Sequence, residues 1–143
     1  MKDQSFLVED LVEPLQYRVY PETPFAEVVD LMVRRDLHSV PVVGEDYEFL
    51  GIITTRDAMK EVLSIRRKGT GGEAIPLDSQ QESTAREIMT RSVMCVSREH
   101  SLMEAASIMT NHDTERLPVT SEGELVGFLT RGEVLRALAA SAD

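Results

Sequence analysis

The sequence predicts an α+β fold built from two copies of one β-α-β-β-α unit. An internal repeat relates residues 19–43 to residues 96–120 at an offset of 77, with seven identical positions. Within each copy, apolar residues recur at i, i+3, i+4 and i+7, which is the spacing of one buried helical stripe. Each copy also contains two short apolar runs joined by a polar turn, which is the pattern of a β-hairpin.

Each copy begins with a short apolar strand, which we predict at residues 15–19 and at residues 93–96. A helix follows at residues 24–36 and 101–111, and Thr23-Pro24 is a suitable start because proline is tolerated in the first turn. The stripe of this helix comprises Phe25, Val28, Val29 and Met32 in the first copy and Leu102, Ala105, Ala106 and Met109 in the second. We expect these side chains to be buried.

The second half of each copy is a hairpin followed by a helix. Apolar runs at residues 40–43 and 117–120 are the first hairpin strands, and each contains a proline, Pro41 or Pro118, which indicates a strand start or an edge. The returning strands are predicted at residues 49–53 and 125–129. Closing helices are predicted at residues 55–67 and 131–140.

The repeat sets the predicted domain boundaries. The first repeat spans residues 8–67 and the second spans residues 84–141, with a linker at residues 68–83 between them. Gly69, Gly71, Gly72 and Pro76 interrupt any regular element in that linker. Because each repeat has only about 55 residues and one apolar face, we expect the two repeats to pack on each other.

Composition and charge narrow the function. The 143 residues include 15 Lys and Arg against 25 Asp and Glu, and the net charge of −10 argues against a nucleic-acid or anionic-membrane binder. A small anion held in a local basic pocket remains compatible with this charge. The N-terminus lacks the pattern of a signal peptide and no apolar run approaches the length of a membrane span, so we expect a cytoplasmic protein.

The sequence offers no pattern for catalysis or for a metal site. His38, His100 and His112 lack the spacing of metal ligands. The single cysteine, Cys95, falls in a predicted apolar strand and is expected to be a buried structural thiol. No nucleophile–base arrangement, phosphate loop or paired-carboxylate site stands out. We therefore predict that the protein is not an enzyme and requires no cofactor.

The order of elements in both copies resembles a cystathionine β-synthase-type (CBS) domain pair. The similar segments are HSVPVVGEDYEFLGIITTRDAM and ERLPVTSEGELVGFLTRGEVL, and the resemblance extends over residues 10–140. It implies two CBS repeats packed with pseudo-two-fold symmetry, and a flat homodimer formed through the helices. It also implies an adenosine-containing ligand in a cleft between the repeats, and a role in controlling another protein. With no attached domain in the sequence, the resemblance predicts a stand-alone protein whose regulated partner is unidentified.

The resemblance assigns the main ligand site to the segment Gly51-Ile-Ile-Thr54-Thr-Arg-Asp57. In the family, an Asp at this position accepts hydrogen bonds from the ribose hydroxyls, and the Thr three residues earlier assists. Both residues fall where a strand ends and a helix begins, where free N–H groups and the helix dipole suit a polar or anionic ligand. The alternative is that Thr54 and Asp57 form a capping box that needs no ligand.

The second copy departs from this motif. Thr130 is followed by Glu133 rather than by an aspartate, and glutamate is preferred in a capping box. We expect the longer Glu133 carboxylate to reach back to the N–H at the cap and to crowd a ribose. His38 and Ser39 would line this second cleft by the resemblance. The hypothesis is that only the Thr54–Asp57 cleft binds a nucleotide well.

The resemblance places further residues in the main cleft. Arg116 would face the phosphate, since arginine matches phosphate geometry. The alternative is that Arg116 is a surface residue paired with Glu115 or Glu133. The adenine would lie near Ile52, Thr90, Met94 and Cys95, through backbone and apolar contacts.

The sequence thus predicts a regulatory or sensor module for AMP, ADP, ATP or S-adenosylmethionine. The alternative function is a scaffold that dimerises or docks on a partner protein and binds no nucleotide, with both Thr-x-x-acid motifs serving only as helix caps. Ligand binding distinguishes the two.

Overall fold

The computed structural model describes residues 7–68 and 83–140. These residues form two compact units, one from Tyr17–Val93 and the other from the described parts of Met1–Gln16 and Met94–Asp143. We call them the first-repeat unit and the second-repeat unit, after the hairpin that each contains. Most of the predicted linker, at residues 69–82, lies outside the described residues.

The described residues contain six strands and five α-helices. In chain order they are β1 (Glu13–Pro14), α1 (Phe25–Arg34), β2 (Ser39–Val43), β3 (Phe49–Thr54), α2 (Thr55–Lys68), α3 (Ala85–Ile88), β4 (Val96–Ser97), α4 (Leu102–Asn111), β5 (Arg116–Ser121), β6 (Glu124–Thr130) and α5 (Arg131–Ala140). Helices α1, α2, α4 and α5 and both hairpins lie where the sequence predicts them, which confirms the α+β class. None of the described helices is long and apolar enough to cross a membrane.

In the first-repeat unit, β2 and β3 form an antiparallel pair in which Ser39 lies opposite Thr54. The predicted strand at residues 15–19 is wrong in extent, because Val19 alone makes a parallel bridge, to Val42. The stripe of α1 is buried as expected, although Val29 is only partly covered. The core consists of Val19, Val28, Met32, Val40, Val42, Ile53, Ala85 and Met89.

The second-repeat unit has a four-stranded sheet in the order β1-β6-β5-β4, with β4 parallel to β5 and the other pairs antiparallel. Pro118 therefore lies in an internal strand rather than at an edge, but β4 pairs only with Val119 and Thr120, beyond the proline. The core consists of Val8, Val96, Leu102, Ala105, Met109, Leu117, Val119, Leu129 and Val134.

Cys95 corrects one expectation from the sequence. The strand predicted at residues 93–96 is instead β4 at Val96–Ser97, so Cys95 lies before it and is exposed. The prediction of a buried structural thiol is wrong, because the chain enters the sheet only at Val96, the buried residue of this segment.

The repeat extends to the way the first helix of each unit ends. Asp36 and Asp113, which are 77 residues apart, have positive φ angles of 53° and 50°. The next N–H in each unit bonds back to a helical carbonyl, from Leu37 to Met32 at 2.9 Å and from Thr114 to Met109 at 3.0 Å. This is the Schellman arrangement, in which the left-handed residue is usually glycine and Asp is among the tolerated alternatives. Both helices therefore stop at the same point and turn the chain into the hairpin.

Candidate functional site

The Thr54–Asp57 motif lies at the junction between β3 and α2. Thr54 is the last residue of β3, and Asp57 is in the first turn of α2. Both side chains are partly buried. The junction therefore places a carboxylate at the N-terminal end of a helix of 14 residues, where the helix dipole favours a negative charge.

Asp57 and Thr54 form a reciprocal cap. The N–H and the hydroxyl of Thr54 both donate to Oδ2 of Asp57, at 3.0 and 3.1 Å. In return, the N–H of Asp57 donates to Oγ1 of Thr54 at 3.1 Å. The hydrogen bonds of a capping box are therefore present at this motif. The cap leaves acceptor positions on the Asp57 carboxylate available, because Oδ1 takes no part in the cap and a carboxylate offers about four acceptor positions.

Thr90 supplies a further donor to the same carboxylate. Its hydroxyl lies 3.2 Å from Oδ1 and 3.1 Å from Oδ2 of Asp57. The backbone of Thr90 is held against β3 by two hydrogen bonds with Ile52, of 3.0 and 2.8 Å. The structure therefore brings together Ile52, Thr54, Asp57 and Thr90, four of the residues that the sequence assigns to the main site.

Gly51 allows the backbone of Thr90 to lie close to β3. A Cβ atom at Gly51 would lie 2.7 Å from the carbonyl oxygen of Thr90 and 2.8 Å from the sulfur of Met89. Side chains do not tolerate such distances to a backbone atom without a shift of that backbone. Gly51, the first residue of the segment that the resemblance assigns to the ligand site, therefore leaves room for the backbone of Thr90.

Helix α3 ends two residues before Thr90 and so places Thr90 beside β3. The sequence did not predict this helix. Thr84 opens α3, and Oε1 of Glu87 accepts from the Thr84 N–H at 2.8 Å, while the N–H of Glu87 donates to the Thr84 carbonyl at 3.0 Å. The signal was present, because Thr-x-x-Glu before an apolar residue is a helix-start pattern. A helix of four residues is too short to show an apolar period.

A small cavity opens beside Asp57. It has a volume of about 160 Å³ and is lined by Asp57, Lys60, Glu61, Glu87 and Ile88. Ligand pockets for drug-sized molecules measure roughly 300–1,000 Å³, so this cavity accommodates only a fragment such as a sugar ring. Lys60 brings a positive charge, whereas Glu61 and Glu87 bring negative charges.

The second motif is built differently. Oγ1 of Thr130 accepts from the N–H of Glu133 at a long 3.4 Å, and the Glu133 carboxylate instead accepts from Arg136 at 2.7 Å. The expectation that Glu133 reaches back to the cap N–H is therefore wrong. The physical reason is that Arg136, one turn along α5, offers a charged donor, which forms a stronger bond than a neutral N–H.

Arg116 lies beside this second motif, since it is opposite Thr130 in the β5–β6 register. Its guanidinium carbon is 4.1 Å from the ring centre of Phe128, a cation–π distance. Burial lowers the pKa of Arg116, and the charge of Glu13 opposes that shift. Arginine nevertheless stays protonated in proteins, so a positive charge is held in a partly buried position.

The other predicted residues divide between the two units. In the first-repeat unit, Ser39 lies opposite Thr54, and the carbonyl of His38 accepts from the N–H of Thr55 at 3.0 Å. In the second-repeat unit, Met94 and Cys95 are exposed. Glu115 and Asp113 bond Arg131. Among the described residues, no group of His, Cys, Asp and Glu is arranged to hold a metal ion.

The chain belongs to the CBS domain family, whose model matches residues 8–64 and 85–140. A curated relative, an uncharacterised protein of Methanocaldococcus jannaschii, is 26% identical over 94% of this chain and 92% of its own length. Inosine-5′-monophosphate dehydrogenase of Thermoplasma acidophilum is 28% identical over 94% of this chain, but the match spans only 23% of that enzyme.

Solved structures of CBS-pair proteins share the fold. CBSX2, a CBS-pair protein of Arabidopsis thaliana, has been solved in complex with AMP. That structure matches with a TM-score of 0.75 and 25% identity, over 97% of this chain and all of the other. The comparisons thus establish a tandem CBS pair.

Proposed function

We propose that this protein is a regulatory module that binds an adenosine-containing ligand, with the ribose on Asp57. The observation that carries the proposal is the Asp57 carboxylate, which is fixed at a helix N-terminus while Oδ1 stays outside the cap. An oriented carboxylate accepts two adjacent hydroxyl groups, and the two hydroxyls of a ribose meet that requirement. The complex of the similar protein CBSX2 with AMP supports the same ligand class.

The remaining contacts follow from the residues assigned to the site. We place the adenine near Ile52, Thr90, Met94 and Cys95, and the phosphate near Arg116. The protein carries a net charge of −10, so a local cation is needed to attract an anionic nucleotide. Arg116 suits this role because its partial burial strengthens its interaction with an anion.

We propose one strong site for each chain. The second motif, with Thr130, Glu133, His38 and Ser39, is the weaker site because the Glu133 carboxylate is already engaged by Arg136. A ribose would have to compete with that charged donor. Asp57 has only hydroxyl and N–H donors as partners.

The proposed role is regulatory rather than catalytic, with the nucleotide as effector and no required cofactor. Such a ligand acts only if it binds two arrangements of the protein with different affinities. We propose a cytoplasmic protein that binds neither nucleic acid nor membrane, with repeats at residues 8–67 and 84–141 and a linker at 68–83. The regulated protein is unidentified.

We also propose that the chain forms a homodimer through its helices. Exposed apolar side chains support this, with Val33 and Met59 on α1 and α2 and with Met103 and Leu135 on α4 and α5. A groove of about 450 Å³ lies beside α1 and α2, lined mainly by apolar residues such as Val29 and Met32. The same surface favours the alternative function, a dimerisation or docking scaffold without nucleotide.

Titration calorimetry with AMP, ADP, ATP and S-adenosylmethionine tests the proposal. We expect at least one of them to bind, and Asp57→Asn to weaken it by more than about tenfold, since a hydrogen bond to a charged group contributes roughly 1.5–3 kcal/mol. Asp46→Asn, in the exposed hairpin turn, is the matched control and should bind like the wild type. If none of the four ligands binds, the scaffold function is favoured instead.

A further inference from the structure

We propose that Thr90 is the positioning residue of this site, because its hydroxyl sets the orientation in which the Asp57 carboxylate meets a ribose. We further infer that Glu13 occupies the counterpart position in the second-repeat unit, so that this position offers the Thr130–Glu133 motif no hydroxyl donor to orient its carboxylate. The inference rests on the proposed function and deepens it, since it identifies which residue selects between the two motifs.

The first step is the set of donors around Asp57. Both donors from Thr54 bond Oδ2, and neither of them reaches Oδ1. The Thr90 hydroxyl lies within 3.2 Å of both oxygens and comes from a segment 33 residues further along the chain. It therefore adds the restraint on the Oδ1 side that Thr54 does not supply, and it leaves Oδ1 with room for further donors.

The second step is that Thr90 and Glu13 occupy equivalent places. Ile52 bridges to Thr90, and Phe128 pairs with Glu13. These two pairs are related by the repeat, since Ile52 and Phe128 are 76 residues apart and Glu13 and Thr90 are 77 apart. In both units a glycine makes room, because a Cβ at Gly127 would overlap the Glu13 carbonyl as one at Gly51 would crowd that of Thr90.

The third step is the chemical difference at that place. A threonine hydroxyl donates to a carboxylate, whereas an ionised glutamate is acceptor-only and repels one. Glu13 is exposed and acts electrostatically on Arg116. The counterpart position of Thr90 beside the Glu133 motif therefore carries an acceptor in place of the orienting donor, and this acceptor interacts with Arg116. The lack of a donor at this position disfavours the arrangement of a carboxylate for a ribose there.

The test is a cycle of protein and ligand changes measured by titration calorimetry. The protein variants are Thr90→Val, which keeps the shape, and Thr90→Ser, which keeps the hydroxyl. The ligands are AMP and 2′,3′-dideoxy-AMP, which lacks both ribose hydroxyls. Thr120→Val, whose side chain makes no hydrogen bond among the described residues, is the matched control. Thermal melting of each variant reports whether it folds like the wild type.

We expect Thr90→Val to weaken AMP binding by about tenfold, as for one hydrogen bond to a charged group, and Thr90→Ser to restore it to within about threefold. Binding of 2′,3′-dideoxy-AMP should change by less than about twofold in Thr90→Val, because no ribose hydroxyl reaches Asp57. Thr120→Val should leave both ligands unaffected.

Two results would overturn the inference while leaving the proposed function in place. One is AMP affinity in Thr90→Val equal to that of the wild type. The other is an equal loss for both ligands, which would show a purely structural role for Thr90. If the wild type fails to bind AMP, the failure lies with the proposed ligand class, and the ribose role of Thr90 falls with it.

Discussion

Replacing Gly51 with alanine tests how the site is assembled. The added Cβ would lie 2.7 Å from the Thr90 carbonyl oxygen and 2.8 Å from the Met89 sulfur. The Met89 side chain can move, but the Thr90 carbonyl is backbone and accepts from the Ile52 N–H at 3.0 Å. The substitution should therefore push the Thr90 segment away from β3.

The magnitude follows from what that displacement breaks. Two backbone hydrogen bonds between Ile52 and Thr90 are lost or weakened, at about 1 kcal/mol each. Overpacking in the buried strand adds roughly 1–3 kcal/mol. With both bonds lost, we therefore expect Gly51→Ala to lower the free energy of unfolding by about 3–5 kcal/mol, a large part of the roughly 5–15 kcal/mol of a typical domain.

Urea unfolding followed by circular dichroism measures this change. The control is Gly132→Ala, because Gly132 lies in α5 and a Cβ there would meet nothing closer than 3.9 Å. Alanine is a better helix former than glycine, and the added Cβ meets no close atom, so this control should not lower stability. If Gly51→Ala proves as stable as the wild type, the close approach of Thr90 to β3 is not the constraint described above.

Further predictions concern the ligand, the surface and pH. Arg116→Ala should weaken the binding of AMP by about tenfold and the binding of adenosine by less than about twofold, because only AMP carries a phosphate. Equal losses of affinity for the two ligands in calorimetry would contradict the phosphate role. Met59→Asp combined with Leu135→Asp should convert a dimer to a monomer in light scattering, because a charge cannot be buried unpaired; an unchanged mass would argue against dimerisation through these helices. Hydrogen bonding to Ser101 lowers the pKa of Glu104. Because its pKa is lowered in the folded protein, the Glu104 carboxylate stabilises the fold at pH above its ordinary pKa of 4.5, and this stabilisation is lost as the pH falls through the lowered pKa. Glu104→Gln should therefore reduce the loss of stability on acidification below pH 4.5. An unchanged dependence of the unfolding free energy on pH would contradict this.

Much of the fold was predictable because it depends on local periodicity. The stripes that contain Val28 and Ala105 are buried in α1 and α4, and both hairpins pair as the apolar runs predict. The strand predicted at residues 15–19 was wrong because an apolar run does not specify a pairing partner. The N–H of Leu15 bonds the carbonyl of Val126, whereas Val19 bridges to Val42. The exposure of Cys95 has the same cause, since strand entry is set by the register between β4 and β5.

The site was predictable by type but not by geometry. The Thr54–Asp57 cap follows from spacing along the chain, and the structure contains it. The hydrogen bond from the Thr90 hydroxyl to Asp57 joins residues that are 33 positions apart, and it requires the close approach of Thr90 to Gly51. No local sequence pattern reveals such a contact. Glu133 shows the opposite error, because its pattern predicts a cap while Arg136 provides a better partner.

A crystal structure of the protein with AMP tests the central claim most directly. The prediction is that both ribose hydroxyls donate to the Asp57 carboxylate, with oxygen–oxygen distances of about 2.5–2.7 Å as for bonds to a charged acceptor. The Thr130–Glu133 motif should be occupied less fully than Asp57. A ribose occupancy at Glu133 equal to or higher than that at Asp57, or a nucleotide that leaves Asp57 untouched, would contradict the assignment of the site.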